Sequence, residues 1–140
     1  MRDGFLNTEF DTITVEVKAD NIAEYARACG ETDPKFTDTT HEDFQATPTF
    51  VSTLMGGRML PGEFPRPSGV GMDAGKMVEW MAPIRGGVTL TGRSHLHDIY
   101  SKTGRSGRMV FLVTRMELFD GDTHVANADS RMVIREKARG

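Results

Sequence analysis

Between Val88 and Arg135 the chain reads as three long strands joined by short turns, and this run limits the fold more than any other feature. The spacing predicts strands over Val88–Tyr100, Arg108–Phe119 and His124–Arg135, preceded by a shorter one at Lys76–Trp80. Ser101–Gly107 (SKTGRSG) and Asp120-Gly121 supply the turn residues that close hairpins. Strands joined so tightly must run antiparallel. Within the second of these three, Met109-Val110-Phe111-Leu112-Val113 is apolar at odd and even positions alike, so both of its faces need cover. This strand is therefore expected at the centre of the sheet. One face can pack on a helix, and a second chain is a natural cover for the other.

The residues before the meander supply one strand and two helices. Ile13, Val15 and Val17 alternate with Thr12, Thr14 and Glu16, the period of a half-buried strand. Asp20 can cap a helix carrying Ile22, Ala26 and Cys29 on one face with Tyr25 beside them, and Gly30 stands where a left-handed cap would end it. Gly30-Glu31-Thr32-Asp33-Pro34 then makes a turn, because Pro34 cannot continue the helix. A second helix is expected to open at Thr47-Pro48, with Thr47 as cap and an apolar stripe of Phe50, Val51, Leu54 and Met55. From Gly56 to Gly75 the composition shifts to six glycines and three prolines, which predicts a long loop.

Composition excludes several classes. Apolar residues are 38% of the chain, enough for one core and against wholesale disorder. Seventeen basic residues against twenty acidic ones leave a net charge of −3 without long runs of either sign, a poor match to nucleic acid. A lone cysteine, Cys29, excludes an intrachain disulfide framework and fits a reducing compartment. No apolar stretch reaches the roughly eighteen residues a membrane-spanning helix needs, and MRDGFLNTEFDT has no signal-like apolar region. A cytoplasmic chain of one domain over 1–140, away from membranes, is the expectation.

Four motifs in order carry a family resemblance: Tyr25-Ala-Arg-Ala-Cys-Gly30-Glu-Thr-Asp-Pro34, Ala46-Thr-Pro-Thr-Phe50, Ala82-Pro-Ile-Arg-Gly-Gly87, and Tyr100-Ser-Lys-Thr-Gly-Arg-Ser-Gly-Arg-Met-Val-Phe111. Together they resemble the MaoC-like acyl dehydratases, in the branch similar to the N-terminal dehydratase domain related to type I fatty acid synthase dehydratases. The resemblance runs from Thr12 to Arg135. It implies an α+β hot-dog fold, a long curled antiparallel sheet around one central helix. It also implies hydration of a 2-enoyl thioester, or dehydration of a 3-hydroxyacyl thioester, on coenzyme A or acyl carrier protein, with no cofactor and no metal.

Such chemistry needs an acid/base pair and donors for the charge developing on the thioester oxygen. The family pattern Gly-Asp-x-Asn-Pro-x-His falls on Gly30-Glu31-Thr32-Asp33-Pro34-Lys35-Phe36. Glu31 and Asp33 keep carboxylates. Phe36 stands where histidine is expected and can neither take nor give a proton. The resemblance places thioester-binding amides at Thr49 and Phe50, where a helix start offers unpaired N–H groups. It makes Met55, Leu60, Phe64 and Met72 candidates for an acyl pocket, along with Met59, and Arg58, Arg66, Arg105 and Arg108 candidates for coenzyme A phosphates.

Other histidines and the cysteine fit less well. His95 and His97 lie two apart beside Asp98, but a metal needs a third ligand and none has a recognisable spacing. His41 has the wrong offset from Pro34 to replace the missing imidazole, and Cys29 has no adjacent base. Several functions remain open at this stage. The chain is a hydratase subunit working beside a catalytic partner, a non-catalytic thioester-binding scaffold, or a self-sufficient homodimer using Glu31 and Asp33. Hot-dog folds also host thioesterases, and the Gly-x-x-Asp-Pro turn favours the hydratase branch.

Overall fold

The computed structural model describes residues 2–54, 56, 60–61, 64, 69–105 and 107–136. Its strands are β1 (Glu9–Glu16), β2 (Gly69–Trp80), β3 (Thr89–Gly104), β4 (Gly107–Asp120) and β5 (Thr123–Glu136). They form one antiparallel sheet in the order β1-β3-β4-β5-β2. β4 is the central strand, as its apolar run requires. Two helices, α1 (Ala19–Ala28) and α2 (Pro34–Thr37), and a 3-10 helix over Pro48–Leu54 lie between β1 and β2. This is the α+β arrangement expected of a hot-dog fold.

The pleat divides the sheet into two faces. Val110, Leu112, Met116 and Leu118 of β4 point inward and are buried. The inner core has two parts. Met116, Leu118, Ala126 and Ala128 pack with Ile22, Phe50 and Val51, while Val110 and Leu112 pack with Leu60, Phe64, Leu96 and Ile134. The Pro48–Leu54 helix therefore covers the Met116–Leu118 end of β4, and not the Met109–Val113 run that was expected to receive it. Burying one side chain such as Leu112 or Leu118 contributes about 1.5–3 kcal/mol. On the outer face Val113 is buried, and Phe111 stacks on Tyr100 of the neighbouring strand at 4.7 Å.

Several local expectations change. Asp20 is not the cap of α1; Lys18 holds that place without a side-chain bond, and Asp20 lies in the first turn, where its charge suits the helix dipole. Cys29 is exposed and forms the C-terminal cap, so it does not share the buried face of Ile22, Ala23 and Ala26. Gly30 does adopt the left-handed conformation (φ +81°). Gly30 donates to the Arg27 carbonyl and Glu31 to the Ala26 carbonyl, at 3.0 and 2.9 Å, the paired bonds of a Schellman motif.

Thr47 does not cap the second helix with its side chain. Its hydroxyl is buried without a hydrogen-bond partner among the described residues, and its carbonyl accepts from the Phe50 amide at 3.0 Å. The segment winds as a 3-10 helix, with the Ser52 and Thr53 hydroxyls donating to the Thr49 and Phe50 carbonyls at 2.8 and 2.7 Å. Those bonds reach three residues back and compete with the longer α-helical step.

The expected loop over Gly56–Gly75 ends early, because β2 begins at Gly69 and pairs along β5. Its glycines suit this edge strand. A Cβ on Gly69 would lie 1.9 Å from the Arg135 carbonyl oxygen, and Gly75 (φ +118°) follows a bulge after Asp73. The Ser101–Gly107 turn is also shorter than expected: Gly104 pairs directly with Gly107, so β3 runs on through Ser101.

Candidate active site

The Gly30–Phe36 loop is built by its neighbours' backbone. The Schellman cap turns the chain out of α1, and Asp33 caps α2 by accepting the Lys35 amide at 3.1 Å, with Pro34 at the first helical position. Lys35 in turn accepts the Gln45 amide at 2.8 Å, and Arg27 donates to the Thr37 carbonyl at 3.1 Å. These bonds hold α2 between the end of α1 and the stretch leading to the 3-10 helix.

Both candidate carboxylates serve this turn. Glu31 Oε1 accepts the Thr32 and Asp33 amides at 3.1 and 3.2 Å. Asp33 is exposed, and its second oxygen lies 4.0 Å from the Lys35 ammonium. Phe36 is half-buried, with Lys35 Nζ 5.0 Å from its ring centre. The three residues sit together on one short loop, and none of them lines the grooves of about 380, 450 and 560 Å³ among the described residues. As drawn by the lone chain, the loop holds two carboxylates that cap backbone and one aromatic ring that carries no proton.

The other candidates scatter. Thr49 is exposed at the start of the 3-10 helix, while Phe50 is buried and its amide is already given to Thr47. Phe50 meets Tyr25 edge to face at 5.6 Å and borders a groove of about 560 Å³ with Val15, Thr53 and Leu54. Leu60 and Phe64 are core residues, with Phe64 against Phe5 at 5.4 Å, whereas Met72 is 53% exposed on the edge strand. The structure thus does not bring Met72 together with Leu60 and Phe64. Arg105 is exposed at a hairpin end, and Arg108 lies 3.7 Å from Glu136. Met55, Met59, Arg58 and Arg66 lie outside the described residues.

The largest polar assembly was not foreseen as a unit. On the outer face of the sheet, Arg115 donates to both oxygens of Asp129 at 2.8 and 2.9 Å and to Glu79 at 3.0 Å. The hydrogen bonds to Asp129 raise the guanidinium pKa above its ordinary value. His95 Nε2 lies 3.1 Å from His97 Nδ1, and His95 Nδ1 lies 3.4 Å from Glu117. Desolvation outweighs the attraction of Glu117 and lowers the His95 pKa, which favours the neutral ring. No cluster of three or more His, Cys, Asp or Glu side chains suited to a metal occurs among the described residues. Only the alternation of Arg115 and Glu117 along β4 signals this assembly in the sequence.

Comparison with known proteins places the chain. The model for the FAS1-like dehydratase domain region matches residues 5–128. UPF0336 protein SCO4636 of Streptomyces coelicolor is 30% identical across 89% of this chain and 87% of its own. A MaoC-like dehydratase from Phytophthora capsici is 26% identical with a TM-score of 0.68, over 100% of this chain and 54% of that one. The HadBC (3R-hydroxyacyl-ACP dehydratase) complex from Mycobacterium tuberculosis shares the fold at 18% identity and a TM-score of 0.62, over 89% of this chain and 92% of that one. With a five-stranded antiparallel sheet, helices packed on its inner face and a match over most of its length, the chain belongs to the FAS1-like dehydratase domain region family and has the hot-dog fold of the MaoC-like dehydratases.

Proposed function

We propose that this chain is a subunit of a hydratase or dehydratase acting on 2-enoyl and 3-hydroxyacyl thioesters, and that a second hot-dog chain supplies the acid/base pair. One observation carries the reading. In the loop that matches the catalytic pattern, Glu31 and Asp33 cap backbone amides and Phe36 has no exchangeable proton. The chain then shapes the acyl pocket and offers the Thr49 amide, at the open start of its helix, to the thioester oxygen. Arg105, exposed at the hairpin end, pairs with a phosphate of the carrier in this reading.

The partner has a place to dock. β2 pairs only with β5 and lies at the sheet edge, where Val70, Met72, Met77 and Trp80 are 65, 53, 52 and 43% exposed. An edge strand with that much apolar surface invites pairing with another chain. The HadBC (3R-hydroxyacyl-ACP dehydratase) complex, which shares the fold, supports a second hot-dog chain as the partner.

Crotonyl-CoA hydration tests the reading. The isolated chain should turn over at least about 10²-fold below the roughly 10 per second of an ordinary enzyme. Turnover near that ordinary value would overturn the need for a partner and move the chemistry to Glu31 and Asp33. The double variant Phe36→His with Glu31→Asp should gain hydratase activity. An aspartate at 31 can still accept the amide two residues on, as Asp commonly does in turns, and an imidazole beside the Lys35 ammonium is held neutral, ready to accept a proton. A folded double variant that binds the thioester yet stays silent would favour a non-catalytic thioester-binding scaffold.

A further inference from the structure

The outer face of the sheet, opposite the helix-covered core, carries an apolar row that runs across four strands. Tyr100 of β3, Phe111 of β4, Val133 of β5 and Met72 of β2 stand directly opposite one another. They face outward because the alternate positions, Ile99, Val110, Leu112, Met132 and Ile134, pack into the inner core. The Tyr100 and Phe111 rings stack at 4.7 Å, Val133 is buried, and Met72 is 53% exposed.

The rows on either side carry the charge. Lys102, Met109, Arg135 and Val70 line up on one side, and Asp98, Val113, Arg131 and Gly75 on the other. Lys102, Arg131 and Arg135 are exposed, and none of them has an ion pair among the described residues. Against these cations the two rows set one carboxylate, Asp98, in a chain whose net charge is −3. The excess stops there. Farther along the face Arg115 is shared by Asp129 and Glu79, and Arg93 stands opposite Glu117.

An occupant of this face must bring an apolar ridge with carboxylates on both of its sides. A second copy laid row on row would add the same cations and double the excess, so the face does not suit itself. Four strands spaced by about 4.8 Å make the row about 14 Å long. An α-helix returns a side chain to one face about every 5.4 Å, close to one contact per strand. Arg131 and Arg135, four residues apart on β5, stand about 13 Å apart, which leaves the roughly 10–12 Å that a helix with its side chains occupies. We propose that this face docks an acidic amphipathic α-helix of a partner protein. Its apolar ridge lies on Tyr100, Phe111, Val133 and Met72, and its flanking Asp or Glu side chains meet Lys102 and Arg135 on one side and Arg131 on the other. A chain paired edge to edge with β2 extends the plane of the sheet and leaves this face open, so docking here is independent of the hydratase partner.

The test uses the whole chain and a synthetic helical peptide of about 14 residues, with Leu at every third or fourth position and Glu on both flanks. Amide and methionine-methyl NMR should show its shifts at Tyr100, Phe111, Val133 and Met72. The same peptide with Lys in place of Glu should bind at least about tenfold more weakly. Raising salt from about 0.05 to 0.5 M should weaken the Glu peptide by a similar factor. Arg131→Glu with Arg135→Glu, both at exposed positions, should reverse the preference and favour the Lys peptide. The milder Arg131→Gln with Arg135→Gln should shrink the preference without changing the melting temperature, and it serves if the reversal disturbs β5. Equal binding of the two peptides by the parent, shifts confined to another face, or an unchanged preference in the folded variants would each overturn the proposal. Binding of vesicles of equal parts phosphatidylglycerol and phosphatidylcholine, with none of the Glu peptide, would overturn it in favour of a lipid surface. Shifts of the row with protein concentration alone would overturn it in favour of a second copy.

Discussion

Replacing Asp129 by alanine should expose how much the outer face depends on one ion pair. Asp129 and Arg115 meet through two hydrogen bonds of 2.8 and 2.9 Å, with side chains 7 and 17% exposed. Breaking a buried pair from one side typically costs 3–5 kcal/mol, because the survivor keeps its desolvation penalty without its partner. Arg115 retains Glu79 at 3.0 Å, itself 49% exposed, and reaches some solvent, so the cost falls at or just below the bottom of that range, about 2–3 kcal/mol. A chain of 140 residues unfolds with an entropy near 0.3 kcal/mol/K, so Tm should fall by about 8 °C. Asp129→Asn keeps the shape and one acceptor and should cost about half as much. Removing both charges, as Arg115→Met with Asp129→Ala, should recover part of the loss, since no unpaired buried cation remains. Urea titration of the parent, Asp129→Ala, Arg115→Met and the double variant measures the cycle. A loss below about 1 kcal/mol for Asp129→Ala, or a double variant as unstable as the sum of the singles, would show that the pair acts as a solvated surface bridge.

Three further outcomes follow from other residues. His95 holds a lowered pKa through desolvation, so the unfolded chain binds its proton first. Its share of stability should be full above the ordinary value of 6.5, should fall as pH drops through that value, and should level off below the folded pKa; His95→Gln should flatten this part of a pH–stability profile. Gly69→Ala would set a Cβ 1.9 Å from the Arg135 carbonyl at a φ of +144°, so the start of β2 should detach from β5 and exchange its amides faster. Met77→Glu on the edge strand should leave the monomer's stability within about 0.5 kcal/mol while abolishing any association measured by sedimentation; a dimer unaffected by it would place the contact elsewhere.

The sheet was largely legible in the sequence because period-two patterning and tight turns act over short distances. β4 is central for the reason its residues gave: Met109–Val113 has no polar face to offer water. The errors lie where backbone geometry departs from pattern. Asp20 looked like a cap, yet the chain enters α1 one turn-step earlier at Lys18. The glycines over Gly69–Gly75 read as loop, but at an edge they permit a bulge and a close backbone approach that larger residues would block. The outer-face network was hidden by irregular register. β3 shifts against β4 between Leu96 and Asp98, and β4 shifts against β5 between Leu118 and Phe119. Counting back from the Asp120-Gly121 turn without that second shift sets Arg115 against Ala128, whereas the shift brings it to Asp129.

The sheet also keeps two chemistries apart. The Gly30–Phe36 loop and the Pro48–Leu54 helix belong to the side that holds the core, whereas His97, Arg131 and the Arg115–Asp129 pair belong to the opposite face. The strands between them alternate by single residues: Val113 and Arg115 face outward while Leu112 and Met116 hold the core. A substitution such as Arg131→Gln changes an exposed outer position and leaves the inner packing untouched, so thioester binding should not respond to it. Asp129→Ala differs, because its cost is borne by folding as a whole: the melting temperature should fall while thioester binding well below it stays as in the parent. Comparing the two variants therefore separates an exposed outer position from a structural network that supports the sheet. Unchanged stability and thioester affinity in Arg131→Gln, with a lowered melting temperature in Asp129→Ala, is the expected pattern; a weaker thioester affinity in either folded variant would show that the outer face reaches the inner site directly.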